Sequence, residues 1–135
     1  MEQPFFVSWY LTKRVIYARL HRQLENEEPA QIDQKFCEML DEGEHVYLIM
    51  DLRDIAEMKK PSVTRLDDVK YRHHPHLQWM LILTNNQLMR FLSSTASQVA
   101  HKSHHIFSDI EELKMFMKKQ FPDTDWRNTL FDSPI

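Results

Sequence analysis

The chain has a single glycine, Gly43, and a single cysteine, Cys37. Loops that cradle a nucleotide's phosphates bring backbone close to the ligand and need several glycines to do so. Neither a P-loop nor a Rossmann fingerprint can be written here, so nucleotide enzymes of those two kinds are excluded. A lone cysteine excludes an internal disulfide and fits a reducing compartment. The longest apolar run falls far short of the roughly 20 residues that span a bilayer. Met1-Glu2-Gln3-Pro4 also lacks the charged lead into an apolar core that a secretory signal needs. A basic field is missing as well: net charge is −3 with eight histidines counted neutral. That balance disfavours nucleic acid and anionic membrane as partners. The expectation is a cytoplasmic protein with no nucleic-acid partner and no membrane insertion.

What is present is ordinary in amount and informative in order. At 135 residues, 42% hydrophobic and 27% charged, the chain suits one globular domain. Phe5 to Thr12 and Val15 to Leu20 alternate with period two, as half-buried strands do. Phe5, Val7, Trp9 and Leu11 share one face of the first stretch, with Phe6, Ser8, Tyr10 and Thr12 on the other. Lys13-Arg14 is a poor hairpin turn by composition, yet a single strand over both stretches would be unusually long. Two antiparallel strands are therefore expected. Glu25-Asn26-Glu27-Glu28-Pro29 opens a helix with proline in its first turn and acids at its positive end. Ile32, Phe36, Met39 and Leu40 follow at helical spacing, and Gly43 is expected to supply a left-handed stop.

Val46 to Met50 and Leu77 to Leu83 are almost wholly apolar. A strand apolar at every position has both faces buried, which points to a parallel sheet covered by helices on each side. Between them lie a charged loop, Leu52 to Lys60, and a helix expected over Ser62 to Tyr71. After them, Asn85 or Asn86 caps a helix with Leu88, Met89, Leu92, Ala96 and Val99 inward. A short strand around His104 to Phe107 precedes Ser108-Asp109-Ile110-Glu111, which matches a capping box between Ser108 and Glu111. The last helix turns Ile110, Leu113, Phe116 and Met117 inward and ends at Pro122. Trp126, Leu130 and Phe131 make the polar tail a segment that docks.

The resulting order, β-β-α-β-α-β-α-β-α, resembles that of the STAS domain, the SpoIIAA-like fold of bacterial anti-sigma-factor antagonists. Leu83-Thr84-Asn85-Asn86-Gln87-Leu88-Met89-Arg90-Phe91-Leu92 and Ile106-Phe107-Ser108-Asp109-Ile110-Glu111-Glu112-Leu113 look like segments of an uncharacterised bacterial branch that joins STAS-like and CRAL-TRIO-like features. The resemblance implies an α/β fold with a mixed, mostly parallel five-stranded sheet and about four helices. It would place a STAS-like domain at residues 1–121 and a tail at 122–135. It also implies a non-enzymatic, regulatory role in binding a protein partner. The CRAL-TRIO side implies an alternative: a carrier or sensor of a small apolar, lipid-like ligand. Regulatory STAS domains carry a phosphorylatable serine in an Asp-Ser-Ser-Gly-like turn after the third strand. The equivalent stretch here is Met58-Lys59-Lys60-Pro61-Ser62-Val63-Thr64, which lacks that Asp and that Gly. Ser62 and Thr64 remain the candidates, because a helix start favours phosphate and Lys59 and Lys60 add attraction. A plain helix cap is the competing role for Ser62.

Other residues offer weaker chemistry. Asp51, Arg53 and Asp54 form a polar cluster at the carboxyl end of a central strand, where open α/β sheets place ligands. An exposed loop of mutually paired charges is the alternative. His73, His74, His76, His101, His104 and His105 gather in two groups. If the strands they precede are parallel neighbours, His76 and His101 approach each other at one edge, and three imidazoles there would suit Zn, Ni or Cu. Their spacing is no known ligand pattern, so free surface histidines are expected and neither metal nor cofactor is assigned. Cys37 beside Phe36 reads as an inert thiol, and no nucleophilic triad has an anchor. Phe91 and Met115 fall off their helix stripes and are candidate contacts for a ligand or partner. The apolar residues of the tail and of the first strand leave room for a homodimer.

Overall fold

The computed structural model describes residues 4–22, 24–55, 70–84, 103–124 and 126. Its centre is a five-stranded mixed sheet in the order β1-β2-β3-β4-β5. The strands are β1 (Phe5–Leu11), β2 (Val15–Leu20), β3 (Val46–Asp51), β4 (Leu77–Leu83) and β5 (Ser103–Phe107). β1 is antiparallel to β2, while β2, β3, β4 and β5 all run parallel to one another. The two apolar segments thus lie side by side, and every residue of β3 is buried. Among the described residues there are two α-helices, α1 (Glu28–Glu42) and α2 (Ile110–Gln120), with a 3-10 turn at Tyr71–His73. The expected count of four is not seen. The helix expected over Ser62 to Tyr71 lies outside the described residues except at its end, where Tyr71 begins the 3-10 turn instead. The helix expected from Asn86 to Ala100 lies wholly outside them.

Strand alternation sends side chains into two separate cores. Ile16, Ala18, Leu48, Met50, Met80 and Ile82 face α1, which contributes Ile32, Phe36, Met39 and Leu40. Tyr17, Tyr47, Ile49, Leu81, Leu83 and Phe107 face α2, which contributes Leu113 and Met117. Burying each such side chain stabilises the fold by about 2 kcal/mol before chain entropy is counted. Trp126 completes the second core. Its ring stacks on Tyr10 at 4.6 Å, and its indole N–H donates to the Phe121 carbonyl at 3.3 Å. The expected docking of the chain beyond α2 is seen at this residue.

Local chemistry departs from expectation in three places. Register shifts between Trp9 and Leu11, so Tyr10 is a bulge and Leu11 joins the α2-side core instead of the face of Phe5, Val7 and Trp9. The hairpin closes with Lys13 at φ 67 and the Arg14 N–H donating to the Leu11 carbonyl at 2.9 Å. Lysine there occupies the left-handed position usually given to glycine, which is why composition disguised the turn. Gly43 is not left-handed: its φ is −104 and ψ −175. A Cβ at Gly43 would stand 2.5 Å from Val46 Cγ2 and 2.6 Å from the Lys13 carbonyl oxygen, so glycine is needed for close approach. Finally, α2 is capped by Asp109, whose carboxylate accepts from the Glu111 N–H at 2.9 Å. The box expected between Ser108 and Glu111 is replaced by this simpler cap.

Candidate functional site

The polar residues at the carboxyl end of β3 converge on one buried carboxylate. Asp51 is the last residue of β3 and is 0% exposed. By alternation it lies on the α2 side of the sheet, with Tyr47 and Ile49. The Tyr17 hydroxyl, reaching along the neighbouring strand, donates to Asp51 Oδ2 at 2.6 Å. Arg53 folds back over the same group. Its Nε donates to Oδ1 at 3.0 Å and its Nη2 to Oδ2 at 2.7 Å. Its backbone N–H adds a further bond to Oδ1 at 3.1 Å. Both carboxylate oxygens are therefore occupied, as a buried charge requires.

A second clasp lies beside the first. The Arg19 guanidinium grips Asp54 through Nε to Oδ2 at 2.9 Å and Nη2 to Oδ1 at 3.1 Å. His21 Nδ1 stands 3.0 Å from the same Oδ2. The side chain of Arg19 is 14% exposed and that of Asp54 32%, so solvent screens this pair more than the first. The hydrogen bond from Arg19 holds the Asp54 carboxyl below the usual carboxylate range. Burial, and then the Asp51 charge beside it, push the Tyr17 hydroxyl well above the usual tyrosine range. Tyr17 stays neutral and keeps donating.

Together the clasps fix the chain as it leaves the sheet. Leu52 and Ile55, which flank Arg53 and Asp54, are buried, and the Leu52 N–H donates to the Leu83 carbonyl at 2.8 Å. The expected cluster of Asp51, Arg53 and Asp54 is thus brought together. Its partners Tyr17, Arg19 and His21 were not singled out from sequence. The alternation of Val15 to Leu20 was legible, but the parallel β2–β3 register that sets Arg19 opposite Asp51 was not.

No protein-family model matches the chain, and no curated protein matches it significantly. The site rests on its own geometry.

Ser62, Thr64, Phe91 and His101 lie outside the described residues. Met115 is 64% exposed, the one large hydrophobic so exposed among the described residues. β4 and β5 are parallel neighbours, but the histidines near them bond elsewhere. His74 Nδ1 accepts from the His76 N–H at 3.0 Å, so its Nε2 carries the proton toward Asp41 Oδ1 at 2.7 Å. His76 Nδ1 lies 2.8 Å from the Leu40 carbonyl. His105 stacks on Phe107 at 4.3 Å. Among the described residues no group of His, Cys, Asp and Glu could hold a metal ion.

Cys37 donates to Asp33 Oδ1 across 3.7 Å. Burial, then the Asp33 charge, push its thiol up to about 11, which leaves it protonated and unreactive near neutrality. Asp33 itself accepts the backbone N–H groups of Lys70 at 2.8 Å and Tyr71 at 2.9 Å. It ties the 3-10 turn to α1. No described helix is long and apolar enough to cross a membrane.

Proposed function

We propose that this chain is a non-enzymatic regulatory module of the STAS-like kind, acting in the cytoplasm by presenting a surface to a protein partner. The observation that carries this reading is the double clasp at the carboxyl end of β3. It uses its charges on one another, with Asp51 saturated by Tyr17 and Arg53 and Asp54 held by Arg19. Such a group is a poor general base, because taking a proton from a substrate would first require these bonds to break. It is a good anchor. It pins residues 51–55 at the start of the stretch that leads to Ser62 and Thr64.

The sheet order, with its antiparallel first strand beside a parallel set, supports the SpoIIAA-like assignment. Ser62, which follows Lys59-Lys60-Pro61 in the sequence, is the switch: a phosphate there adds negative charge to a lysine-bearing stretch and changes what a partner meets. Met115 offers an apolar contact elsewhere on the surface. Among the described residues the side chains facing α1 and α2 pack into two cores, and nothing in them favours the carrier reading.

The test compares wild type, Ser62→Ala and Ser62→Asp as affinity-tagged baits with matched circular dichroism. The Asp variant is expected to change recovery of a co-purifying protein several-fold, while Ala behaves as wild type. Equal recovery by all the folded baits would remove the switch.

A further inference from the structure

The two edges of the sheet differ in chemistry. β5 is a short run, Ser103-His104-His105-Ile106-Phe107. β1 offers Phe5-Phe6-Val7-Ser8-Trp9-Tyr10-Leu11, with no charge, no proline and every residue half-buried. Edge strands ordinarily carry lysine, proline or inward charges that stop another strand from adding. Between Phe5 and Leu11 there is no such guard. Among the described residues no strand lies beyond β1.

The ladder with β2 fixes which backbone groups of β1 look outward. The His21 N–H donates to the Pro4 carbonyl at 3.0 Å, and Phe6 and Ser8 stand opposite Arg19 and Tyr17 in the same register. Antiparallel pairs alternate between bonded and non-bonded. Phe6 and Ser8 therefore bond inward to β2, while Phe5, Val7 and Trp9 direct their N–H and C=O groups away from it. These outward residues also share one sheet face, the α1 side. The bulge between Trp9 and Leu11 ends the outward ladder just beyond them.

We propose that two copies of this chain pair antiparallel through β1, about a two-fold axis at Val7, to form one sheet running through both. In this register Val7 faces Val7, and Phe5 of each copy faces Trp9 of the other. All the outward groups are used, making about six hydrogen bonds between the copies. The cross-strand pairs are aromatic on aromatic and β-branched on β-branched, the kinds that stabilise antiparallel ladders. Centring the axis on Ser8 instead would spend an outward residue on Leu11, past the bulge, and lose part of the ladder. The strand itself carries no charge to set against its own copy. The interface is isologous and closes on itself, so it ends at a dimer.

Sedimentation equilibrium of the full chain is expected to give twice the 16.4 kDa of one copy. Val7→Lys sets like charges against each other at the axis and is expected to give a single-copy mass with unchanged circular dichroism. Should that variant fail to fold, cross-linking decides. In a Cys37→Ser background, Val7→Cys places its thiol opposite its own copy. The expected Cα separation there is about 5.5 Å, inside the range a disulfide spans. It should oxidise to a covalent dimer several-fold faster than Ser8→Cys, which faces Phe6. A single-copy mass for the wild type would overturn the proposal and leave the edge for a strand of another protein. So would a folded Val7→Lys dimer, or equal oxidation of the two cysteine variants.

Discussion

At the carboxyl ends of β2 and β3 the sheet closes on charge. Asp51 is buried completely and shared between Tyr17 and Arg53. At the amino ends it closes on a missing side chain: Gly43 lets the end of α1 pass against the Lys13 carbonyl and Val46. The first end is filled with polar atoms that satisfy one another. The second stays open, as a groove of about 660 Å³ bordered by Lys13, Glu44, His45, Gln78 and Gln120. A buried charge holds an end of a sheet only while all its partners remain, whereas a glycine contact holds it only while nothing is added. The two ends should therefore fail in opposite ways.

Removal should hurt most at the carboxyl end. Asp51→Ala leaves Arg53 and the Tyr17 hydroxyl facing each other without their acceptor. The expected loss is about 3 kcal/mol, read as a lower urea midpoint with unchanged slope. Addition should hurt at the amino end. Gly43→Ala is expected to cost about 2 kcal/mol through overpacking. Truncating Val46 to alanine in that background should restore little, because the Lys13 carbonyl still blocks the new methyl. Full rescue would place the strain on Val46 alone.

The smallest effect sharpens the comparison by pH. Tyr17→Phe removes one hydrogen bond at a cost of about 1 kcal/mol near neutrality. In the wild type, burial and the Asp51 charge raise the Tyr17 hydroxyl, so the fold favours its protonated form. That stabilisation is fully present below about pH 10 and drains as pH rises through the elevated value. The wild type should lose stability above that range more steeply than the Phe variant. Parallel alkaline limbs in chemical denaturation would separate Tyr17 from Asp51.

Much of this architecture was readable in the residues. The apolar runs at Val46 and Leu77 demand cover on both faces, and adjacent parallel strands supply it, with only Gln78 of the second run left exposed. Ile32, Phe36, Met39 and Leu40 repeat at helical spacing and all are buried. Close approaches are harder to read. Nothing local marks Gly43 as a point where backbone must touch backbone, since its partner, Lys13, lies on another element. The site was half legible for the same reason. Asp51, Arg53 and Asp54 are neighbours along the chain, whereas Tyr17 and Arg19 become their partners only through the β2–β3 register. The bulge at Tyr10 moved Leu11 to the other face against strict alternation, which a period-two pattern cannot foresee.

Trp126 lies on Tyr10, so a residue near the end of the chain covers one near its beginning. During synthesis the β1–β2 hairpin leaves the ribosome well before its lid exists. Contacts of such long sequence separation form late and slow the approach to the native state. Nascent chains would meanwhile expose an uncharged, aromatic strand, the kind of surface that chaperones bind.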